Sequence, residues 1–119
     1  MKLPKNREIT IAASKITGYL LSETHPVGSS KAKYFRALGY SEESAGRLHE
    51  DLVRIAAGGD VAKMIGTPHG TKYVVDGDLT PPSGRKVRVR TIWIARSGDD
   101  IPRFVTAYPA HAGRRGEIP

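Results

Sequence analysis

Apolar and polar residues follow two different periods along this chain, and the change comes near Gly58-Gly59. Before it, the spacing is helical. Ile16, Tyr19 and Leu20 predict a first helix, with Ser14 as its cap and Gly18 weakening it. Ala32, Phe35 and Leu38 share one side of a short second helix over about residues 30–38, which stops at Gly39. Ala45, Leu48, Leu52 and Ile55 make the clearest stripe, that of a third helix. Ser41 caps it, Glu42 and Glu43 sit at the positive end of its dipole, and Gly58-Gly59 ends it.

After that point the period shortens to two. Residues 61–67 read as a strand closed by a turn at Pro68-His69-Gly70. Residues 71–79 make a second strand around Tyr73, Val74 and Val75. Thr80-Pro81-Pro82-Ser83-Gly84 is turn chemistry, and residues 85–96 form the longest strand. Ser97-Gly98-Asp99-Asp100 turns the chain into a fourth strand over 103–108. Three short connections imply hairpins. The expectation is an α+β fold: N-terminal helices followed by a four-stranded antiparallel β-meander, one sheet face on the helices and the other partly open and basic. Along the third strand Val87, Val89, Thr91 and Trp93 point one way, and Arg88, Arg90, Ile92 and Ile94 the other. Neither set is wholly apolar, so the strand alone leaves the buried side open. The Asp76-Gly77-Asp78 run reads as a turn or bulge.

A chain of 119 residues fits one domain with a real core, expected over residues 1–110, followed by a flexible basic tail at 111–119. With no cysteine, thiol catalysis, disulfides and zinc–thiolate sites are excluded. No apolar run approaches a membrane span, and the basic start lacks the apolar stretch of a signal peptide. A cytoplasmic protein without a membrane partner is the expectation. The net charge of +7 is uneven. From Val61 onward bases outnumber acids two to one, which favours a polyanionic partner.

One stretch concentrates the candidate chemistry: His25-Pro26-Val27-Gly28-Ser29-Ser30-Lys31-Ala32-Lys33-Tyr34-Phe35. A tight turn hands a histidine to the start of a basic helix, with Ser29 and Ser30 as good caps. An imidazole, free backbone N–H groups and the Lys31 ammonium are thereby set near one another, the groups phosphate chemistry uses. A loop histidine beside a helix cap is equally compatible with an inert role.

Several segments together resemble a family of small bacterial proteins defined as a domain of unknown function. They are Lys15-Ile16-Thr17-Gly18-Tyr19-Leu20-Leu21, the His25–Phe35 stretch, Gly70-Thr71-Lys72-Tyr73, Pro82-Ser83-Gly84-Arg85, Val89-Arg90-Thr91-Ile92-Trp93 and Pro102-Arg103-Phe104-Val105-Thr106-Ala107-Tyr108-Pro109. The resemblance runs from about Pro4 to Pro109. Members of that family occur as free-standing proteins and as pieces of toxin systems. The order of elements is also similar, at the level of fold, to the ribonucleases that group barnase, EndoU, colicin ribonucleases and RelE-type toxins. The resemblance implies metal-independent RNA cleavage by attack of the ribose 2′-hydroxyl, with no cofactor. It also implies an acidic antitoxin or immunity protein as partner.

That chemistry needs a base, an acid and cations around the phosphorane. His25 is the candidate acid or base. Lys31 and Arg90 are candidates to hold phosphate, and Thr106 and Tyr108 to donate hydroxyls, with Thr91 a further hydroxyl. Lys33, Arg88 and Arg103 are candidate RNA contacts, and Trp93 or Tyr73 a stacking platform. Each has a plainer reading: solvated lysines, a charged sheet face, a core tryptophan, β-prone packing. His69, in a turn, is the next histidine after His25. His49 reads as exposed helix surface, and His111 falls in the tail. Two other readings stay open: a nucleic-acid-binding domain without catalysis, and a basic protein-interaction module.

Overall fold

The computed structural model describes residues 1–22, 24, 29–99 and 101–110. His25 and the turn after it, and the tail at 111–119 with His111, lie outside the described residues. The elements run α1 (Ala13–Lys15), a π turn (Ile16–Leu20), α2 (Ser29–Ala37), a 3₁₀ turn (Glu42–Ser44), α3 (Ala45–Gly58) and strands β1 (Val61–Thr67), β2 (Gly70–Leu79), β3 (Val87–Arg96) and β4 (Arg103–Pro109). The strands are neighbours in chain order, and every pairing is antiparallel. Helices followed by a four-stranded meander is the predicted α+β architecture.

The first helix departs from expectation. Ser14 lies inside α1 rather than at its cap; Ala12 takes that position and makes no side-chain capping bond. The turn then widens over Ile16–Leu20, which keeps Ile16 and Leu20 buried across Gly18. α2 and α3 follow their stripes. Ala32, Phe35 and Leu38 are buried, and Gly39 adopts a φ of +100° to turn the chain out of α2. The start signal at Ser41 opens a 3₁₀ turn first, where the Ser41 N–H donates to the Ser44 hydroxyl at 2.9 Å. Leu48, Leu52 and Ile55 then face the core. Asp51 is buried beside them. It accepts from the Tyr40 hydroxyl at 2.7 Å and from Arg54 at 2.8 Å, so its charge is compensated inside the fold.

Residues before α1 strap the C-terminal end of α3. Leu3, Ile9 and Ile11 are buried. Asn6 donates to the Ala57 carbonyl at 2.8 Å, and the Val61 N–H donates to the Met1 carbonyl at 2.7 Å. His49 is partly buried rather than exposed. Its Nε2 accepts the Ile11 N–H at 3.2 Å and so anchors the strap to α3.

The sheet resolves the ambiguity of β3. Val89, Thr91 and Trp93 are fully buried, and Val89 and Trp93 pack with Val75, Leu79 and Ala107 in the core beneath the helices. Asp76-Gly77-Asp78 is not a turn. It lies within the C-terminal part of β2 in regular register with Arg90, Val89 and Arg88. Gly77 serves packing, since a Cβ there would sit 2.7 Å from Ile55 Cγ2 of α3. The real bulges fall between Val61 and Lys63 and between Ile92 and Trp93.

Candidate functional site

Alternation along the strands places Asp76, Asp78, Arg88, Arg90, Thr106 and Tyr108 on the sheet face opposite the core, where Val74, Ile92 and Thr106 are themselves buried. The β2–β3–β4 register sorts them into rows. Asp78 pairs with Arg88; Asp76 with Arg90, and Arg90 with Tyr108. Next come Val74, Ile92 and Thr106, then Lys72, Ile94 and Arg103.

The row holding Arg90 is tightly organised. Arg90 Nε and Nη2 donate to the two Asp76 oxygens at 2.8 and 3.0 Å, a bidentate pair in which Asp76 is largely buried. Hydrogen bonding from Asp76, and then the neighbouring Tyr108, hold the Arg90 guanidinium above its ordinary pKa. One row on, the Thr106 and Tyr19 hydroxyls share a hydrogen bond of 3.0 Å. Lys15 rests 5.1 Å from the centre of the Tyr19 ring. A guanidinium, two phenols, a threonine hydroxyl and an ammonium thus follow one another across β3, β4 and the π turn. Tyr19 and Lys15 were not among the sequence candidates. Tyr19 had looked like a core position by helical spacing, and the wide turn brings its hydroxyl to Thr106.

The other candidates separate. Trp93 is a core residue: its indole packs edge-on to Phe104 with centroids 5.3 Å apart, and it has no exposed surface to offer a base. Its Nε1 donates to Thr91 Oγ1 at 2.7 Å, and the Thr91 hydroxyl donates to the Val75 carbonyl at 2.7 Å. Thr91 therefore belongs to the core network and not to the face of Arg90. Tyr73 is likewise buried in the core. Arg88 is bound to Asp78 at 3.2 Å, and Arg103 to Asp99 at 2.8 Å; that pairing holds the Asp99 carboxyl below its usual range. Lys33 is exposed on α2, and Lys31 is half-buried near its start. The geometry between His25 and these groups lies outside the described residues.

A cleft opens at the opposite end of the face from Arg88 and Asp78. It has a volume of about 670 Å³. Lys15, His69, Lys72, Arg96 and Arg103 line it, over a floor that includes Ile94, Phe104 and Val105. Among the described residues no carboxylate lines it. Lys72 and Arg96 are in no ion pair among the described residues. The register carried this signal: Asp76 and Asp78 stand across from Arg90 and Arg88, whereas Lys72 stands across from Ile94, and Arg96 from Gly70. Among the described residues, no three His, Asp or Glu side chains converge as a metal-ligand set, and no helix is long and apolar enough to cross a membrane.

A family model described as Domain of unknown function (DUF6883) matches residues 2–111. The chain belongs to this family. No curated protein matches the sequence. Among solved structures, the DUF6883 chain is similar to a chain of a contact-dependent growth inhibition toxin–immunity protein complex from Klebsiella pneumoniae 342. The TM-score is 0.70 at 16% identity, covering 90% of this chain and 97% of that one. At that identity the likeness is one of fold. DUF6883 in this chain thus adopts the helices-then-meander arrangement of a component of that complex.

Proposed function

We propose that this protein is a metal-independent ribonuclease acting as the toxin of a bacterial toxin–immunity or toxin–antitoxin pair. The observation that carries the reading is the row built by Arg90, Tyr108, Thr106 and Tyr19, a partly exposed guanidinium beside three largely buried hydroxyl side chains on the sheet face opposite the core. Such a set can bind a phosphodiester and stabilise charge on a phosphorane. Two things support the toxin role: the fold likeness to a chain of a toxin–immunity complex, and a net charge of +7, which suits RNA and an acidic immunity partner. The proposed site of action is the cytoplasm, where RNA is found.

In this mechanism Arg90 and Lys31 hold the phosphate, and Thr106 and Tyr108 orient its oxygens. His25 takes the 2′-hydroxyl proton or gives a proton to the leaving 5′ oxygen. Lys33, Arg88 and Arg103 contact flanking phosphates. His25 follows Tyr19 by six residues, and Arg36 grips the chain between them by donating to the Leu21 carbonyl at 2.9 and 2.6 Å.

The test is induced expression, with cleavage assays on total RNA in chelator. Growth arrest and chelator-resistant cleavage are expected. His25→Ala should lower the rate about a hundredfold or more, with an unchanged melting temperature. A fully active His25→Ala protein would move the acid–base role to His69. No cleavage of any RNA would overturn the reading. The Arg90–Asp76 pair favours a second reading, because it already occupies that guanidinium: the face then binds RNA without cutting it. Binding without cleavage would select that alternative. An acidic immunity partner, if it covers the face, should compete with RNA for the protein.

A further inference from the structure

Positive charge on the sheet face is distributed unequally between its two ends. At one end Arg88, Lys86 and Arg90 are matched by Asp78 and Asp76. At the other, among the described residues, the cleft holds Lys15, Lys72 and Arg96 without a carboxylate in its lining; Asp99 outside it pairs with Arg103 and acts more weakly on Arg96. Counterion release depends on cations a polyanion can claim, and a cation already held by a carboxylate contributes less. The arginines that stand out in the sequence are therefore the wrong ones to supply most of the affinity.

We propose that this cleft is a nucleotide-binding subsite for single-stranded RNA next to the Arg90 row. Its size suits one nucleotide, within the roughly 300–1,000 Å³ usual for small-ligand sites. Its two chemistries match the two parts of a nucleotide. Lys72, Arg96 and Lys15 meet phosphate, and the apolar floor of Ile94 and Val105 lies where a base would rest. His69 is held at the rim by its backbone. Its N–H donates to Thr67 Oγ1 at 3.2 Å, and its carbonyl accepts from Ser97 N–H at 3.3 Å. Lys15 joins the two regions, since it lines the cleft and rests on the Tyr19 ring that bonds Thr106. The choice of RNA rests on the ribonuclease reading; the asymmetry of charge does not.

The test measures binding of a 2′-O-methyl single-stranded oligonucleotide, which cannot be cleaved by 2′-hydroxyl attack, to the full chain across a salt series. Lys72→Gln/Arg96→Gln should weaken binding at least tenfold at low salt. It should also lower the slope of log K against log salt by about 1.4, at roughly 0.7 per phosphate contact on a single strand. Lys86→Gln, at the paired end, should change neither. Arg96→Gln alone is the milder variant, an exposed side chain at the end of β3, and should lose about half of that slope. An oligonucleotide with abasic sites should bind more weakly than the intact one. Unchanged affinity and slope in both cleft variants would overturn the proposal. So would equal binding of the abasic strand, or poly-L-glutamate displaced by the same substitutions while RNA is not. Cleavage that persists with unaltered binding in the variants removes the subsite and leaves the enzyme. Variant-sensitive binding without cleavage removes the enzyme and leaves the subsite.

Discussion

Thr91 shows how one side chain can be misjudged by its chemistry and judged correctly by its parity. As a hydroxyl in a β-prone run it is a candidate donor to phosphate. As the residue between Val89 and Trp93 on alternate positions, it faces the core. There it accepts from the protein's sole tryptophan and donates to the Val75 carbonyl. Thr91→Val keeps the shape and leaves the Trp93 N–H and the Val75 carbonyl without this partner. The expected cost is about 1–3 kcal/mol, measured by urea unfolding followed through Trp93 fluorescence. RNA binding by the folded protein should be unchanged. Asp76 makes the opposite case, a residue whose loss should improve binding. Asp76→Asn leaves the Arg90 guanidinium uncompensated, so RNA affinity should rise several-fold at low salt and the salt slope should steepen by up to about 0.7. An unchanged slope would mean that Arg90 does not meet phosphate.

At the level of elements, hydrophobic spacing told most where packing obeys a single period. α2 and all four strands lie within two residues of their expected bounds, because their apolar stripes and glycine stops agree, while α3 ends as expected but begins three residues late, after the 3₁₀ turn that Ser41 opens. The misreadings fall where a residue type serves a distant neighbour. Asp76-Gly77-Asp78 has the composition of a turn, yet it is central strand because β2 must admit Ile55 of α3 where Gly77 lies. Its two aspartates answer arginines on β3 that only the hairpin register brings opposite. The strap before α1 was equally hidden, since its hydrogen bonds reach residues about 40–60 positions away. Of the candidate site, the strand residues were legible by alternation, whereas the contributions of Tyr19 and Lys15 depend on a wide turn that no spacing rule announces. The Gly77 account predicts non-additivity. Gly77→Ala should destabilise by about 1–3 kcal/mol through overpacking. In Gly77→Ala/Ile55→Ala the new methyl enters space the isoleucine vacated. The double variant should therefore be more stable than the sum of the single losses by about 0.5–3 kcal/mol in a denaturation cycle. Strict additivity would show that Gly77 is present for another reason.

For the molecule as a whole, stability and activity should part company across pH. Burial, then the hydrogen bond to Asp51, raises the Tyr40 phenol above its ordinary value. A raised group contributes stability that is complete below its unfolded pKa, near 10, and is lost as pH climbs toward the folded value. Ion-paired hydrogen bonds, from Arg36 to Glu42 and from Arg103 to Asp99, lower those two carboxyls. Their contribution is complete above about pH 5 and is lost as pH falls through 4 and below. Both carboxylates are solvent-exposed, so the acid limb should be shallow and should flatten further in salt. Between about pH 5 and 10 these three groups leave the melting temperature level. A reaction run by an imidazole acid or base behaves differently, because its rate must bend near neutrality. Initial RNA-cleavage rates and melting temperatures, taken on the same samples from pH 4 to 11, separate the two. The expected result is a rate that bends between pH 5 and 8 while the melting temperature holds, with the bend removed by His25→Ala. A rate that simply tracks the melting temperature would mean that pH acts through folding, and that histidine carries no proton in the reaction.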